Sequence, residues 1–250
     1  MASILDRYGI KEVADVTFYK LDENGNPTAP VLYLDTLKVS TIEQTAEQAE
    51  ARGGKGNAPL IIWDYGKEIN VTLEDALFSA KSMAIMFGDL KAGDAALSTI
   101  STIKKTLPKS AITDGHFYLL GKKYAIPSTA KYYKEDGTED EQKTSYAYVT
   151  FDMKVAGAEI EVSASTFPGT YYVTGDTYAR SEANGLDEFF QFIIPKAKVQ
   201  SENTITLEAE GDPSVFNMSL RVMRPADGVM MKLVKYDVTE TEVTETPAAG

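Results

Sequence analysis

Apolar residues recur every second position over most of this chain, so strands dominate its reading. Val16 and Phe18 alternate with polar neighbours in DVTFYK, and the Asn24-Gly25 pair then signals a tight reversal. VLYLDTLKVSTIEQ reads as a second strand, with Val31, Tyr33, Leu37 and Val39 on the alternation. Thr45–Pro59, TAEQAEARGGKGNAP, is small, polar and glycine-rich; its composition predicts a long mobile loop with a helical turn around Glu47–Ala51. PLIIWDYGKEINVT returns to strand, with Asp64–Lys67 as a candidate hairpin turn. One helix follows. Leu73, Ala76, Leu77, Ala80, Ala84 and Phe87 share a face, Thr72 stands at the N-cap position, Glu74 and Asp75 place negative charge in the first turn, and Gly88 is the stop.

The rest of the chain is again β. Short strands are expected between Ser110 and Pro127, with turns at Asp114-Gly115 and near Gly121, and KYYKEDGTEDEQKTSY reads as an acidic hairpin tip turning at Asp136-Gly137. Ala147, Val149, Phe151, Met153 and Val155 alternate, as do Ile160, Val162 and Ala164 after the Ala156-Gly157 turn. Phe189–Val199 is an apolar strand that must end or bulge at Pro195. Ile205, Leu207 and Ala209 alternate, then Phe216, Met218, Leu220 and Val222, and VMMKLVKYDV closes the set. The fold class is mainly β: an antiparallel sandwich or barrel with one flanking helix and long loops. Residues 1–240 form a single β-rich domain, 89–145 are the candidate for an inserted or outward-facing subdomain, and the polar stretch 241–250 is a flexible tail.

Composition narrows the chemistry. Asp plus Glu number 37 against 25 Lys plus Arg, a formal net charge of −12. Such a surface repels nucleic acid phosphates, which disfavours a DNA grip but suits a conduit through which DNA slides. The absence of cysteine removes disulfides, thiolate metal sites and cysteine nucleophiles, and suits a reducing cytoplasm. The charged start, MASILDRYGIKEVADVTF, has no signal-peptide pattern, and no run approaches the ~18 apolar residues of a membrane span. His116 is the only histidine, in DGHFYLL at a turn-to-strand junction, and is expected to be structural. No catalytic residue, metal ligand or cofactor is assigned.

Two motifs invite chemistry and fail on spacing. Arg52-Gly53-Gly54-Lys55-Gly56-Asn57 resembles a phosphate loop, but Lys55 is followed by glycine rather than Ser or Thr, and no helix starts behind it. These six residues are instead the candidate for a loop that orders on a neighbouring subunit. Asp22, Asn24 and Asn26 open like a calcium loop, but Tyr33 stands where the twelfth-position Glu belongs. No pair stands out among the carboxylates for acid–base hydrolysis, and a single tryptophan, Trp63, is poor provision for a sugar cleft. Tyr146 and Tyr148 lie on the strand face opposite Val149 and Phe151; apolarity on both faces marks a second buried layer or a subunit interface.

The stretch from GTYYVTGDTYARSEANGLDEFFQFIIPKAKVQ through the GDP turn to VMMKLVKYDV resembles the closing half of phage major tail proteins, and IEQTAEQAEARGGKGNAPLIIWDYGKEINVTLEDALFSAKSMAIM resembles their front half. The resemblance covers about two-thirds of the chain. It implies a β-sandwich with a flanking helix, six copies closing into a ring, and rings stacking into a tube that carries DNA during ejection. Its partners would be itself, other phage tail proteins and transiting DNA without specific binding, with no membrane, in a virion tail assembled in the host cytoplasm. The long loop and terminal arm would reach the next ring. A neck, baseplate or capsid-decoration protein, a carbohydrate-binding or adhesion module, and a two-carboxylate hydrolase are the competing readings.

Overall fold

A computed structural model describes residues 7–10, 12–89, 98–202 and 215–236. In chain order the elements are β1 (Tyr8–Ile10), β2 (Asp15–Leu21), β3 (Pro27–Leu34), β4 (Leu37–Gly53), β5 (Ala58–Asp75), α1 (Ala80–Phe87), β6 (Ser98–Pro108), β7 (His116–Leu119), β8 (Lys122–Ala125), β9 (Lys131–Tyr133), β10 (Tyr148–Glu159), β11 (Thr170–Ser181), β12 (Asp187–Val199), β13 (Phe216–Val222) and β14 (Lys232–Tyr236). The fold is mainly β and antiparallel, as the alternation predicts. The chain divides into two compact units, Met1–Ala96 with Ile160–Gly250, and Leu97–Glu159.

The first unit is built on a nine-stranded sheet whose main path runs β3-β2-β11-β12-β13-β5-β4, with β1 added to β11 and β14 to β12. The path begins with β3 and ends with β4, yet only Asp35 and Thr36 join these two strands. A link of that length spans only about 10 Å, so the sheet must curl until its two edges meet. No hydrogen-bonded ladder pairs β3 with β4, so the roll is not a closed barrel. Its interior is set by alternation. Val16 and Phe18 of β2, Tyr171 and Val173 of β11, Ile194 and Val199 of β12, and Leu220 of β13 are buried. Phe18 meets Tyr171 edge to face at 5.9 Å, and burial pushes the Tyr171 phenol up to about 12. Pro195 sits at the register slip where Ile194 pairs with Val173 and Ala197 with Tyr171, so its missing N–H breaks no regular ladder.

The helix is shorter than its apolar spacing suggests. β5 runs through the Thr72 cap position to Asp75, because Val71 and Leu73 bury at period two against Leu220 and Met218 of β13. Asp75 ends the strand by accepting hydrogen bonds from the Thr36 hydroxyl and the Leu77 N–H. Ser79 is the true N-cap: its hydroxyl accepts from the Ser82 N–H at 3.0 Å, while the Ser82 hydroxyl accepts from the Ser79 N–H at 2.9 Å. Gly88 is the stop as expected, at φ +80°, with the Phe167 backbone so close that a Cβ would lie 2.4 Å from its carbonyl carbon. Ser82 and Met86 of the helix face Leu34, Leu73, Phe216 and Met218, closing one side of the roll.

The second unit has a three-stranded sheet, β6-β10-β9, and the β7-β8 hairpin. Leu107, Phe117, Ala130, Val149 and Phe151 form its own core. The turns at Asp114-Gly115, Leu120-Gly121 and Asp136-Gly137 fall where the sequence places them. The acidic excursion is not a plain solvated tip. Asp140 is buried and accepts from the Ser145 N–H at 2.7 Å, tying the excursion down. Ile160, Val162 and Ala164, expected as strand, lie in irregular chain after β10. The 205–209 alternation and the 241–250 tail lie outside the described residues.

Candidate assembly site

The stretch expected as a mobile loop is a paired ribbon. β4 and β5 form one long hairpin, registered from Leu37↔Asp75 out to Gly53↔Ala58, and only Gly54–Asn57 turn. Gly54 and Gly56 take φ +77° and +87°, and the Asn57 N–H donates to the Gly54 carbonyl at 3.2 Å. Of the candidate contact residues, Arg52 and Gly53 therefore belong to a strand and Gly54, Lys55, Gly56 and Asn57 to its turn. Arg52 spends its guanidinium on Glu50, donating from Nε at 2.6 Å. The helical turn at Glu47–Ala51 is absent; those residues are strand.

β13 supports β5 only over Asn70–Asp75, so the distal hairpin projects as a two-stranded arm. Residues 58–67 are all exposed and, at roughly 3.3 Å per residue, extend about 33 Å. Asp64–Lys67, expected as a hairpin turn, is a β-bulge: Glu47 pairs with Tyr65 and Thr45 with Glu68, so β5 holds one residue more than β4. Gly66 supplies the left-handed backbone there, at φ +63°. One extra residue reverses which face each side chain takes. Ile69, Val71 and Leu73 point into the core, whereas Ile61, Trp63 and Tyr65 come out on the opposite face.

That phase change makes the arm two-sided. Gln48, Glu50, Arg52 and Asp64 share one face with Ile62, and there the Gln48 amide donates to Asp64 at 2.8 Å and Arg52 pairs with Glu50. The other face carries Ile61, Trp63 and Tyr65 opposite Ala51, Ala49 and Glu47. Leu60 is 67 % exposed and Trp63 53 %. The exposed set Leu60, Ile61, Trp63 and Tyr65 is the feature sequence reasoning missed: PLIIW reads only as strand. Its signal lay in the partner strand, where EQTAEQAEARG offers only alanines to cover it.

The other candidates resolve into structural roles. The His116 Nδ1 lies 2.7 Å from the Asp114 carbonyl oxygen, which can only accept, so the ring donates and braces its own turn. Asp22 accepts from the Asn24 and Asn26 N–H groups at 2.9 and 2.7 Å, so its oxygens close the β2–β3 turn; these bonds, chiefly with Asn26, hold its carboxyl below the usual carboxylate value. A cavity of about 660 Å³ gathers Glu12, Asp15, Asp176 and Asp187. Arg180 grips Asp187 at 2.7 and 2.8 Å, Gln191 donates to Asp176, and Tyr33 to Asp15, so these three carboxylates brace neighbouring strands of the sheet. Among the described residues, no three His, Asp or Glu converge as a metal site, and no helix is long and apolar enough to cross a membrane.

A rolled antiparallel sheet, one capped helix and a long projecting hairpin are thus joined by residues 8–235, and the family model described as the YomU/Tube protein family matches that same span. The chain belongs to the YomU/Tube family. It is also 27 % identical to a tail tube protein of Bacillus phage SPR over 218 residues, covering 80 % of this chain and 78 % of the relative. As a YomU/Tube protein, it is a structural protein of the phage tail tube. For a YomU/Tube subunit, an apolar arm in solvent is a surface awaiting another protein.

Proposed function

We propose that this chain is the repeating subunit of the tube, closing into rings, six copies to a ring, that stack head to tail and conduct DNA at ejection without catalysing a reaction. The observation that carries this reading is the arm. A lone two-stranded ribbon is marginal in water, and this one exposes a row of large apolar side chains. A neighbouring subunit supplies the missing cover, with Arg52–Asn57 at the tip reaching the adjacent ring. Heterologous contacts of this kind close rings or propagate as helices.

Charge supports the same reading. Leu97–Glu159 holds nine lysines against eight carboxylates, so the acidic surplus of the chain belongs to the first unit. An acidic first unit suits a wall that DNA passes without adhering. The test is negative-stain microscopy with sedimentation at high protein concentration. Rings or tubes about 10 nm wide, on the scale of a few sheet layers, are expected. Monomers alone, even with the other tail proteins added, would refute the reading and leave an adhesion or decoration module.

A further inference from the structure

We infer that the apolar row of the arm seats in a specific groove on a second copy, the one lined by Ile10, Val13, Val39, Ile42 and Leu233. This assignment rests on the tube reading and adds to it the receiving surface. The groove measures about 490 Å³ and lies on the first unit, where β1, the start of β4 and β14 come together. All five side chains are substantially exposed, from 37 % at Val13 to 59 % at Leu233. The subunit therefore presents two apolar surfaces, one a ridge and the other a hollow.

The ridge cannot fill the hollow of its own chain. Val39 and Ile42 lie on β4, the strand that continues unbroken to Ala49 and Ala51 beneath the row. Seven residues separate Ile42 from Ala49, roughly 23 Å of extended strand. The bulge at Gly66 also leaves Ile61, Trp63 and Tyr65 on the sheet face opposite to Ile69 and Val71, and Ile42 pairs with Val71 on the core-side face. Distance and direction both exclude folding back, so the occupant is another molecule. The polar face of the arm already satisfies itself through Gln48–Asp64 and Glu50–Arg52, so docking by the apolar face leaves those groups in water. Glu47 shares the face of Tyr65, and the groove carries both Lys38 and Glu12, so Lys38 is the one opposite charge a docked Glu47 would meet there.

A second copy fits better than an unrelated partner because one subunit carries both halves of the contact. Each copy gives one arm and receives one. Such a contact is heterologous, leaves a ridge free at one end and a hollow at the other, and adds subunits without limit, as a growing tube requires.

The protein contains its own probes: one tryptophan, at the centre of the row, and no cysteine background. Two single-cysteine variants, Ile61→Cys and Leu233→Cys, are mixed in equal amounts, assembled with the other tail proteins where needed, oxidised, and run under denaturing conditions. A cross-linked dimer is expected from the mixture, and from Ile61→Cys with Ile42→Cys. None is expected from Ile61→Cys with Leu120→Cys, a control in the second unit. Assembly should also shift Trp63 emission to the blue and cut its acrylamide quenching several-fold, and Leu233→Asp should abolish both changes. Tubes that form with Trp63 protected but without the mixed cross-link would overturn the groove and leave the tube reading intact. Cross-links within Ile61→Cys alone would mean that arms pair with each other, again overturning the groove. Failure of the unmodified protein to assemble would remove the tube reading itself and the groove with it.

Discussion

β5 contains two regions with opposite fates, and the more apolar one is the exposed one. Its last eight residues, Glu68–Asp75, alternate between half-buried and buried, with Val71 and Leu73 each 1 % exposed. Its first ten, Ala58–Lys67, are richer in large apolar side chains and entirely exposed. Both halves pair with β4 through the same ladder, so hydrogen bonding does not separate them. What separates them is a third strand: β13 covers the inner half and ends before the arm. Backbone pairing can therefore extend a hairpin well beyond the region where side chains find cover. The bulge at Gly66 marks the border and turns the exposed row to the other face. In the inner half the strand stabilises the subunit; in the outer half large apolar side chains are held ready for a partner.

Substitutions can break this comparison in order of effect on the isolated subunit. Leu73→Ala should cost about 2–5 kcal/mol, as large-to-small changes in a core do, read as a fall in the urea midpoint of the monomer. Gly66→Ala should cost on the order of 1–2 kcal/mol for a left-handed backbone with a Cβ, because the space itself is open, the nearest atom of Glu47 lying at 3.8 Å. Deleting Gly66 is the sharper experiment. It removes the extra residue but leaves Ile61, Trp63 and Tyr65 opposite Ala51, Ala49 and Glu47 on the same face, so polymer should still form by microscopy and the monomer should still melt cooperatively. Trp63→Ala should change monomer stability by no more than about 0.5 kcal/mol, the usual range for exposed sites, and still prevent assembly. If it destabilises the monomer as much as Leu73→Ala does, the two halves of β5 are not different in kind.

The smallest effect is expected at the β2–β3 turn of the first unit, where the Asp22 side chain braces a turn that Gly25 makes possible. Asp22→Ala should slightly lower the melting temperature at pH 7. The Asp22 carboxyl sits below its ordinary 3.8 in the folded chain because it accepts hydrogen bonds, first of all from Asn26. A depressed folded value means its contribution is fully present above 3.8 and is lost as the pH falls through the folded value. The gap between wild type and Asp22→Ala should therefore narrow on going from pH 7 to strongly acidic buffer. A gap that widens in acid would show that the turn is not held by the carboxylate.

Local signals made much of this molecule legible. Val16 and Phe18, Val149 and Phe151, and Met218 and Leu220 fall inside because period two against a polar background has one reading on a half-buried sheet. Asn24-Gly25, Asp114-Gly115 and Asp136-Gly137 turn because their backbones tolerate left-handed conformations, and Pro195 sits at a bulge because it has no N–H to give. The first helix positions were misread because Leu73, Ala76, Leu77 and Ala80 satisfy a helical spacing by coincidence, while Leu73 is held in β5 by Met218, a residue 145 positions away. Thr45–Pro59 reads as loop because small polar residues carry no strand pattern of their own; Thr45–Gly53 is strand because residues 58–68 pair with it. Alternation, turn pairs and composition suffice to specify the β class, the turns and the charge. That PLIIW lies outside the core emerges only on folding, because burial depends on where β13 stops and on one extra residue at Gly66, and neither is a property of the segment left exposed.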